Sequence, residues 1–285
     1  MDDIAAFPVS EVEPLVSATE VRRLAPETLP EIFRIGQGAD STAYRAGDLV
    51  IRASRRSEVA DHMRFEMKLL DRLRGRLPLR VPAPVWLEVR DGVALMAHRY
   101  EPGAPFERST FDGLSGPAQG AALQTVRELW GELHSYTAEA QDLGAERARP
   151  FDDAEVVEAH VFPLLTSHER QLCLEALRFG DSGEAELVHH DFAPDHVLHA
   201  DGTLVAIIDF GDACLSDPIA EIGGRLLNAY GEDFALRILN GDRDALSAAV
   251  AYELWDRLAG AANHIKSTGP GGKELDWVRR RLASS

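Results

Sequence analysis

Hydrophobic and polar positions alternate over the first third of the chain, which is the spacing of half-buried strands. Three short runs, FRIG, TAYRA and LVIRA, lie within residues 33–53, and two longer ones, VPAPVWLEV and GVALMAHRY, flank the turn signal Arg90-Asp91-Gly92. Residues 57–74 between the two sets carry apolar side chains at helical spacing, with Ser57 as the expected N-cap. This part is predicted to be a five-stranded, mostly antiparallel sheet with one helix.

The spacing becomes helical after a Pro- and Gly-rich break at residues 101–105. One helix is expected over 118–137, where apolar residues recur on one face. Further helices are expected within 153–166, 167–180, 218–229, 231–240, 243–263 and 273–283. The pattern therefore predicts an α+β chain with two domains, residues 1–100 and 101–285.

One strand-like island, between Ala185 and Phe210, interrupts the helical part. Two apolar runs flank Asp201-Gly202, a dipeptide typical of tight hairpin turns because it accepts positive φ at both positions. Such a hairpin brings the ends of its two arms together. We therefore expect Asp191 and His196, before the first arm, to converge with Asp209, after the second.

Two carboxylates and an imidazole around one point suit metal-assisted phosphoryl transfer. That reaction needs a carboxylate that orients the attacking hydroxyl and accepts its proton, and a Mg²⁺ held near the nucleotide phosphates. Because Mg²⁺ keeps several waters, two protein ligands suffice.

The island also resembles a known signature. His189-x-Asp191-x-x-x-x-His196, Ile207-Ile208-Asp209-Phe210-Gly211-Asp212 and Asp217-Pro218 are similar to the catalytic and metal-binding motifs of the aminoglycoside phosphotransferases, relatives of the protein kinases. The motif sequence is most similar to that of the aminoglycoside 2″-phosphotransferases, and macrolide phosphotransferases also carry His at the position of His196. The resemblance implies a bilobal protein-kinase-like fold, with Asp191 as the catalytic base and His196 and Asp209 as Mg²⁺ ligands.

The same resemblance implies a nucleotide site in residues 1–100 and a catalytic, substrate-binding lobe in 101–285. Gly36, Gly38 and Ser41 fall where a Gly-rich phosphate loop is expected, although a simple hairpin turn also explains them. Arg52 takes the place of the phosphate-binding Lys and would pair with Glu66 on the helix.

The resemblance also implies a connector between the lobes. Met96, Ala97 and His98 are expected there, with the purine edge against their backbone and with the His98 side chain packed or facing solvent. The phosphate donor that the resemblance implies is ATP or GTP.

The net charge of −17, from 30 basic and 47 acidic residues, would repel nucleic acid and anionic lipid and attract a polycation. Solubility alone also explains this charge. Together with the implied phosphoryl transfer and the acidic residues of the C-terminal lobe, it favours an aminoglycoside acceptor, with one hydroxyl placed near Asp191 and ammonium groups paired with carboxylates. The candidate acceptor residues are Glu221, Glu232, Asp233, Glu253, Trp255 and Asp256. A macrolide is the second choice, and choline, homoserine or a sugar derivative is the third.

Several other classes of protein are less compatible with the sequence. The pair His190-Asp191 is also compatible with a divalent-metal phosphohydrolase. In that class of enzyme, however, the metal ligands lie on helices rather than beside a hairpin. A nucleotide-binding pseudokinase would not need both Asp191 and Asp209. Gly269-Pro270-Gly271-Gly272-Lys273 lacks the first glycine and the preceding strand of a P-loop. With no long apolar run, no secretory-type N-terminus and only two cysteines, we expect a cytoplasmic monomer without disulfides or membrane contact.

Overall fold

The computed structural model describes residues 15–38, 41–148, 154–176, 185–269 and 273–283. The strands are β1 Ile32–Gln37, β2 Thr42–Ala46, β3 Leu49–Ser54, β4 Pro84–Arg90, β5 Val93–Arg99, β6 Ala104–Pro105, β7 Glu186–Val188, β8 Val197–Ala200, β9 Thr203–Ile207 and β10 Cys214–Ser216. The helices are α1 Ala18–Leu24, α2 Ser57–Leu73, α3 Arg108–Gly113, α4 Gly116–Ser135, α5 Thr137–Leu143, α6 Ala154–His160, α7 Ser167–Ala176, α8 Pro218–Glu221, α9 Leu227–Tyr230, α10 Glu232–Ile238, α11 Arg243–Thr268 and α12 Lys273–Ala283.

The chain divides into two compact units. The first contains Met1–Phe106, Asp142–Ala145 and Asp195–Asp212. The second contains Glu107–Gln141, Glu146–Pro194 and Ala213–Ser285. The predicted hairpin thus belongs to the first unit, whereas Asp191 belongs to the second.

The first unit is built on the predicted five-stranded sheet, in the order β1-β2-β3-β5-β4. Every neighbouring pair is antiparallel, which confirms the prediction. Ile51 and Leu95 from central strands pack with Val21 and Leu24 of α1 in one apolar cluster. The predicted helix is α2, but its N-cap position is Arg56, one residue before the expected Ser57.

The predicted hairpin is also present in the first unit, as β8 and β9. Asp201 and Gly202 have φ of 50° and 81°, the positive values that this turn demands. The short strand β6 pairs with β8, so the hairpin is the larger part of a three-stranded sheet in the order β6-β8-β9.

The second unit is mainly helical, as predicted, with one small sheet of β7 and β10. Its apolar cluster joins residues of α6, α7, α11 and α12, and buried Cys173 lies within it. Strand β10 and helix α3 were not predicted, because elements of three to six residues are too short to show a period. No helix among the described residues has the length and apolar character needed to cross a membrane.

One helical stretch of the second unit has an irregular centre. Asp217 caps its start by accepting the Ile219 N–H at 2.8 Å, and a π-helical turn over Ile222–Leu226 separates α8 from α9. The backbone at Gly224 leaves helical geometry, with φ −71° and ψ −106°. Gly223 packs directly against α11, where an added Cβ would lie 2.4 Å from the Ala249 carbonyl oxygen. Glycine is therefore required for this close approach.

We expect Gly223→Ala to lower the free energy of unfolding by about 1–3 kcal/mol, because the new methyl group overpacks the contact with α11. Urea unfolding measures the change. Gly131→Ala in α4 is the control, since an added Cβ there meets nothing within 4 Å, and it should gain about 0.5–1 kcal/mol. A Gly223→Ala protein as stable as the wild type would contradict the close packing.

Candidate active site

The loop after β7 holds Asp191 in a constrained backbone. His190 has a φ of 65°, a left-handed conformation that non-glycine residues rarely adopt. The Asp191 N–H donates to Nδ1 of buried His189 at 3.3 Å. Asp191 is itself buried, and its Oδ1 lies 2.9 Å from Nε of Arg225. Both the backbone and the side chain of the predicted base are therefore fixed.

Glu221 supports this loop and does not face an acceptor. Its Oε2 accepts the His190 N–H at 2.8 Å, while buried Oε1 has no hydrogen bond from any described residue. Burial raises the pKa of Glu221 to about 7; the His190 N–H opposes the shift and the Asp191 charge adds to it. The predicted acceptor contact is wrong for Glu221, because its buried carboxyl group is engaged by the backbone of the loop.

The hairpin brings the two predicted metal ligands together. His196 precedes β8 and Asp209 follows β9, and the Ile208 N–H donates to the His196 carbonyl oxygen at 2.9 Å. Nε2 of His196 lies 3.7 Å from Oδ2 of Asp209. The predicted approach of His196 to Asp209 is confirmed, and the convergence of Asp191 with them stays a prediction.

A carboxylate and an imidazole at this spacing fit a cation that keeps most of its water. Within the part of the chain that the structure describes, no three His, Cys, Asp or Glu side chains form a metal cage. Mg²⁺ does not need one, because it is usually held by one or two carboxylates and by substrate phosphates. The Asp209 carboxylate is 41% exposed and has His196 beside it, which suits that mode of binding.

Arg52 joins the helix α2 to the predicted metal ligand. Its Nη1 lies 2.8 and 2.7 Å from the two carboxylate oxygens of Glu66, and 2.9 Å from Oδ1 of Asp209. The predicted Arg52–Glu66 pair is thus confirmed. Burial acts to lower the Arg52 pKa, but the carboxylates of Glu66 and Asp209 outweigh it and raise that pKa. An added Cβ on Gly211 would lie 2.6 Å from Nη2 of Arg52, so this glycine makes room for the guanidinium.

The described residues of the Gly-rich segment lie at the end of β1 and the start of β2. Gly36 lies at a register shift in the β1–β2 pairing, and the Gly38 N–H donates to the Ser41 carbonyl oxygen at 3.0 Å. Ala39 and Asp40, between them, lie outside the described residues. The phosphate-binding role of Gly36, Gly38 and Ser41 stays a prediction.

The predicted connector lies elsewhere. Met96, Ala97 and His98 are inside β5, which pairs with β3 on one side and with β4 on the other. Their backbone groups therefore face neighbouring strands and leave no edge for a purine, so the chain leaves the sheet only after Arg99. Of the two expectations for the His98 side chain, packed or facing solvent, the structure shows the packed one, and burial lowers its pKa to about 4.

Two of the acidic residues predicted to bind the acceptor are already paired with arginines. Glu232 accepts a hydrogen bond from Arg281 at 2.6 Å. Asp233 accepts two from Arg108, both at 2.9 Å, and Arg108 also bonds the carbonyl oxygen of Tyr230. These carboxylates stabilise the start of α10, which reduces the negative charge left for a polycation.

The other three predicted acceptor residues have three different environments. Trp255 packs, partly buried, against the apolar cluster of the second unit, so it is a core residue rather than a wall of a site. Asp256 is exposed. Glu253 lines a cavity of about 390 Å³ in the second unit.

This cavity carries balanced charges. Its lining includes Leu227, Glu232, Glu253, Trp277, Arg280 and Arg281. Glu253 is 6% exposed and makes no hydrogen bond with a described residue. Burial raises its pKa, although Arg281 and Arg257 oppose the shift. Glu253 is therefore a buried carboxyl group at a cavity, with no hydrogen-bond donor among the residues that the structure describes.

The contact of Arg225 with Asp191 was not predicted from the sequence. Arg225 is a single charge within an apolar helical segment, and nothing local to it indicates a partner 34 residues earlier in the chain. Its spacing of four residues from Glu221 places both on one helix face, and that is the only signal that the sequence offered.

Solved structures of phosphotransferases share this fold. The GDP and kanamycin complex of APH(2")-IIia matches with a TM-score of 0.79 and 24% identity, covering 93% of this chain and 96% of that one. The ADP-bound aminoglycoside phosphotransferase APH(2'')-Ib matches at 0.67 and 19% identity, covering 93% and 95%. The macrolide 2'-phosphotransferase MphH from Brachybacterium faecium matches at 0.62 and 19% identity, covering 93% and 94%. The fold is therefore the predicted protein-kinase-like fold.

The chain belongs to the phosphotransferase enzyme family APH, whose model matches residues 31–260. That range contains Asp191, His196 and Asp209 as well as the Arg52–Glu66 pair. No curated protein sequence matches the chain.

We expect Glu221→Gln to weaken the decline of stability between about pH 4.5 and 7. Native Glu221, with its raised pKa, keeps a proton there that the unfolded chain releases, so the stability from the neutral group is lost as pH rises. The variant lacks this titration, which is worth on the order of 3 kcal/mol. Urea unfolding at several pH values measures it. Glu132→Gln, at an exposed site on α4, is the control. Parallel pH curves for wild type and Glu221→Gln would refute the raised pKa.

Proposed function

We propose that the protein transfers the γ-phosphoryl group of ATP or GTP to a hydroxyl group of a small molecule. The observation that carries this proposal is the buried carboxylate of Asp191 on its constrained loop, in a chain that also holds the His196–Asp209 pair. The membership of the phosphotransferase family supports it. Within one reaction, the two carboxylates take different tasks because their surroundings differ.

In this mechanism Asp191 accepts the proton of the acceptor hydroxyl. The hydroxyl oxygen bonds to the γ-phosphorus as the bond to the bridging oxygen breaks, and a nucleoside diphosphate leaves. Asp209 and His196 would hold Mg²⁺, which when bound neutralises charge on the phosphates. Arg52, kept charged by Glu66, would bind phosphate oxygens together with the Gly36–Ser41 turn.

The acceptor that we propose first is an aminoglycoside. The structures named above support it, one of them being a kanamycin complex at a TM-score of 0.79. The cavity adds a chemical argument, because the buried carboxyl group of Glu253 lines it. An acceptor bound there would place an ammonium group on Glu253.

A macrolide is the second candidate, and the charge balance of the cavity favours it. Glu232 is neutralised by Arg281, and Arg280 adds a further positive charge to the lining. The one carboxyl group of this lining that has no hydrogen bond from a described residue, Glu253, lines the cavity with Leu227 and Trp277. This arrangement suits an acceptor with a single amine and a large apolar surface. The overall charge of −17 therefore does not describe the cavity.

We expect Asp191→Asn to reduce transfer by at least about 100-fold while nucleotide affinity stays within a few-fold, because only the base is lost. Asp209→Ala should weaken Mg²⁺-nucleotide binding as well as transfer, and His196→Ala should show a smaller loss, since water can replace its ligand atom. Calorimetric nucleotide titration and a transfer assay measure both effects. Strong turnover by Asp191→Asn, or unchanged Mg²⁺-nucleotide affinity of Asp209→Ala, would contradict these roles.

We expect Glu253→Gln to raise the acceptor KM by about 5–50-fold, because an ammonium group loses its charged partner, and to leave the nucleotide KM unchanged. Steady-state kinetics with the aminoglycoside or macrolide that the wild type phosphorylates measures this. Asp256→Asn is the matched control, three residues further along α11 and exposed. Equal acceptor KM values in both variants would place the amine elsewhere.

A further inference from the structure

The helical stretch from α8 to α9 contacts the catalytic loop at two successive residues. Glu221 accepts the His190 N–H at 2.8 Å, and Arg225 places Nε 2.9 Å from Oδ1 of Asp191. One helical stretch therefore holds first the backbone and then the side chain of neighbouring loop residues.

The local geometry that aims Arg225 is specific. The π-helical turn Ile222–Leu226 contains it, and the non-helical backbone at Gly224 immediately precedes it. Gly223 fixes this turn against α11, and Arg108 bonds the Tyr230 carbonyl oxygen at the far end of α9. Single π-turns inside helices are frequent at functional sites. The backbone that carries Arg225 is thus held by contacts on both sides of it.

Three charged or titratable groups contact or act on Asp191 from the elements around it. Glu221 comes from α8, His189 from the loop itself, and Arg225 from the π-turn. Of these, Glu221 disfavours a second negative charge when it ionises, and Nδ1 of His189 accepts the Asp191 N–H. Arg225 is the permanent cation of the set, and its side chain is 63% exposed, so an acceptor and water reach it.

We propose that Arg225 is a positioning residue for phosphoryl transfer, which keeps the Asp191 carboxylate ionised and fixes its orientation. This inference rests on the proposed function of Asp191. The guanidinium of Arg225 bonds Asp191 through Nε and is charged at every working pH. A carboxylate in this state is ready to take the proton of the acceptor hydroxyl. A neutral or freely rotating carboxyl group would not be.

Arg225→Met tests the inference, because methionine has a similar length and no charge. We expect kcat to fall by about 10–100-fold, the nucleotide KM to stay within twofold, and the acidic limb of the pH profile to move to higher pH. Arg225→Lys should recover part of kcat, since it restores charge without the planar donor. Arg243→Met, at an exposed position on α11, should equal the wild type. Unfolding curves confirm that each variant is folded.

A second measurement does not depend on knowing the acceptor. The Asp191 carboxyl group can be titrated by NMR in protein labelled with ¹³C-aspartate, with its signal assigned from Asp191→Asn. The inference predicts a higher titration midpoint in Arg225→Met than in the wild type, and an unchanged midpoint overturns it whatever the rates. An unchanged kcat also overturns it. If the wild type phosphorylates no acceptor, the proposed function fails, while a shifted midpoint still supports the hold of Arg225 on Asp191.

Discussion

The hydrogen bond from the His190 N–H to the buried Glu221 carboxyl group is the contact on which the catalytic loop depends. A non-glycine residue at positive φ costs about 1–3 kcal/mol, and a hydrogen bond to a buried partner contributes a similar amount. The bond thus offsets the strain at His190, next to the Asp191 that we propose as the base. Because Glu221 lies on a helix that Gly223 fixes against α11, the position of Asp191 depends on helix packing as well as on the loop.

In the first unit, ion pairs rather than a backbone hydrogen bond hold the residue next to the candidate site. Arg52 is buried between the carboxylates of Glu66 and Asp209, and a buried cation without partners would be strongly destabilising. Glu66 anchors the guanidinium from α2, so Arg52 stays charged beside the residue that would hold the metal. Gly211 leaves the space for this contact. In both units a buried acid therefore holds a residue, or the backbone next to a residue, to which we assign a role in the proposed reaction.

Structural features that depend on a local period or a short spacing were predicted correctly from the sequence. The five strands, the Asp201-Gly202 hairpin and the Arg52–Glu66 pair are of this kind. The prediction failed where a partner lies far along the chain, since nothing near Asp233 shows that Arg108, 125 residues away, neutralises it. It also misplaced the connector, because the apolar run of β5 continues through His98 without a signal for its end. The contact of Arg225 with Asp191 could not be predicted from the sequence, because Arg225 lies in a π-turn that has no local sequence signal.

The central claim, phosphoryl transfer to a small-molecule hydroxyl, is tested most directly by mass spectrometry of acceptors. The protein is incubated with Mg²⁺, ATP or GTP and a panel of aminoglycosides, macrolides, choline and homoserine, with Asp191→Asn as the blank. The account predicts that one antibiotic gains a single phosphoryl group with the wild type and not with the blank. Tight binding of Mg²⁺-nucleotide without a gain on any hydroxyl compound would contradict it, and would favour a protein that binds nucleotide without transfer.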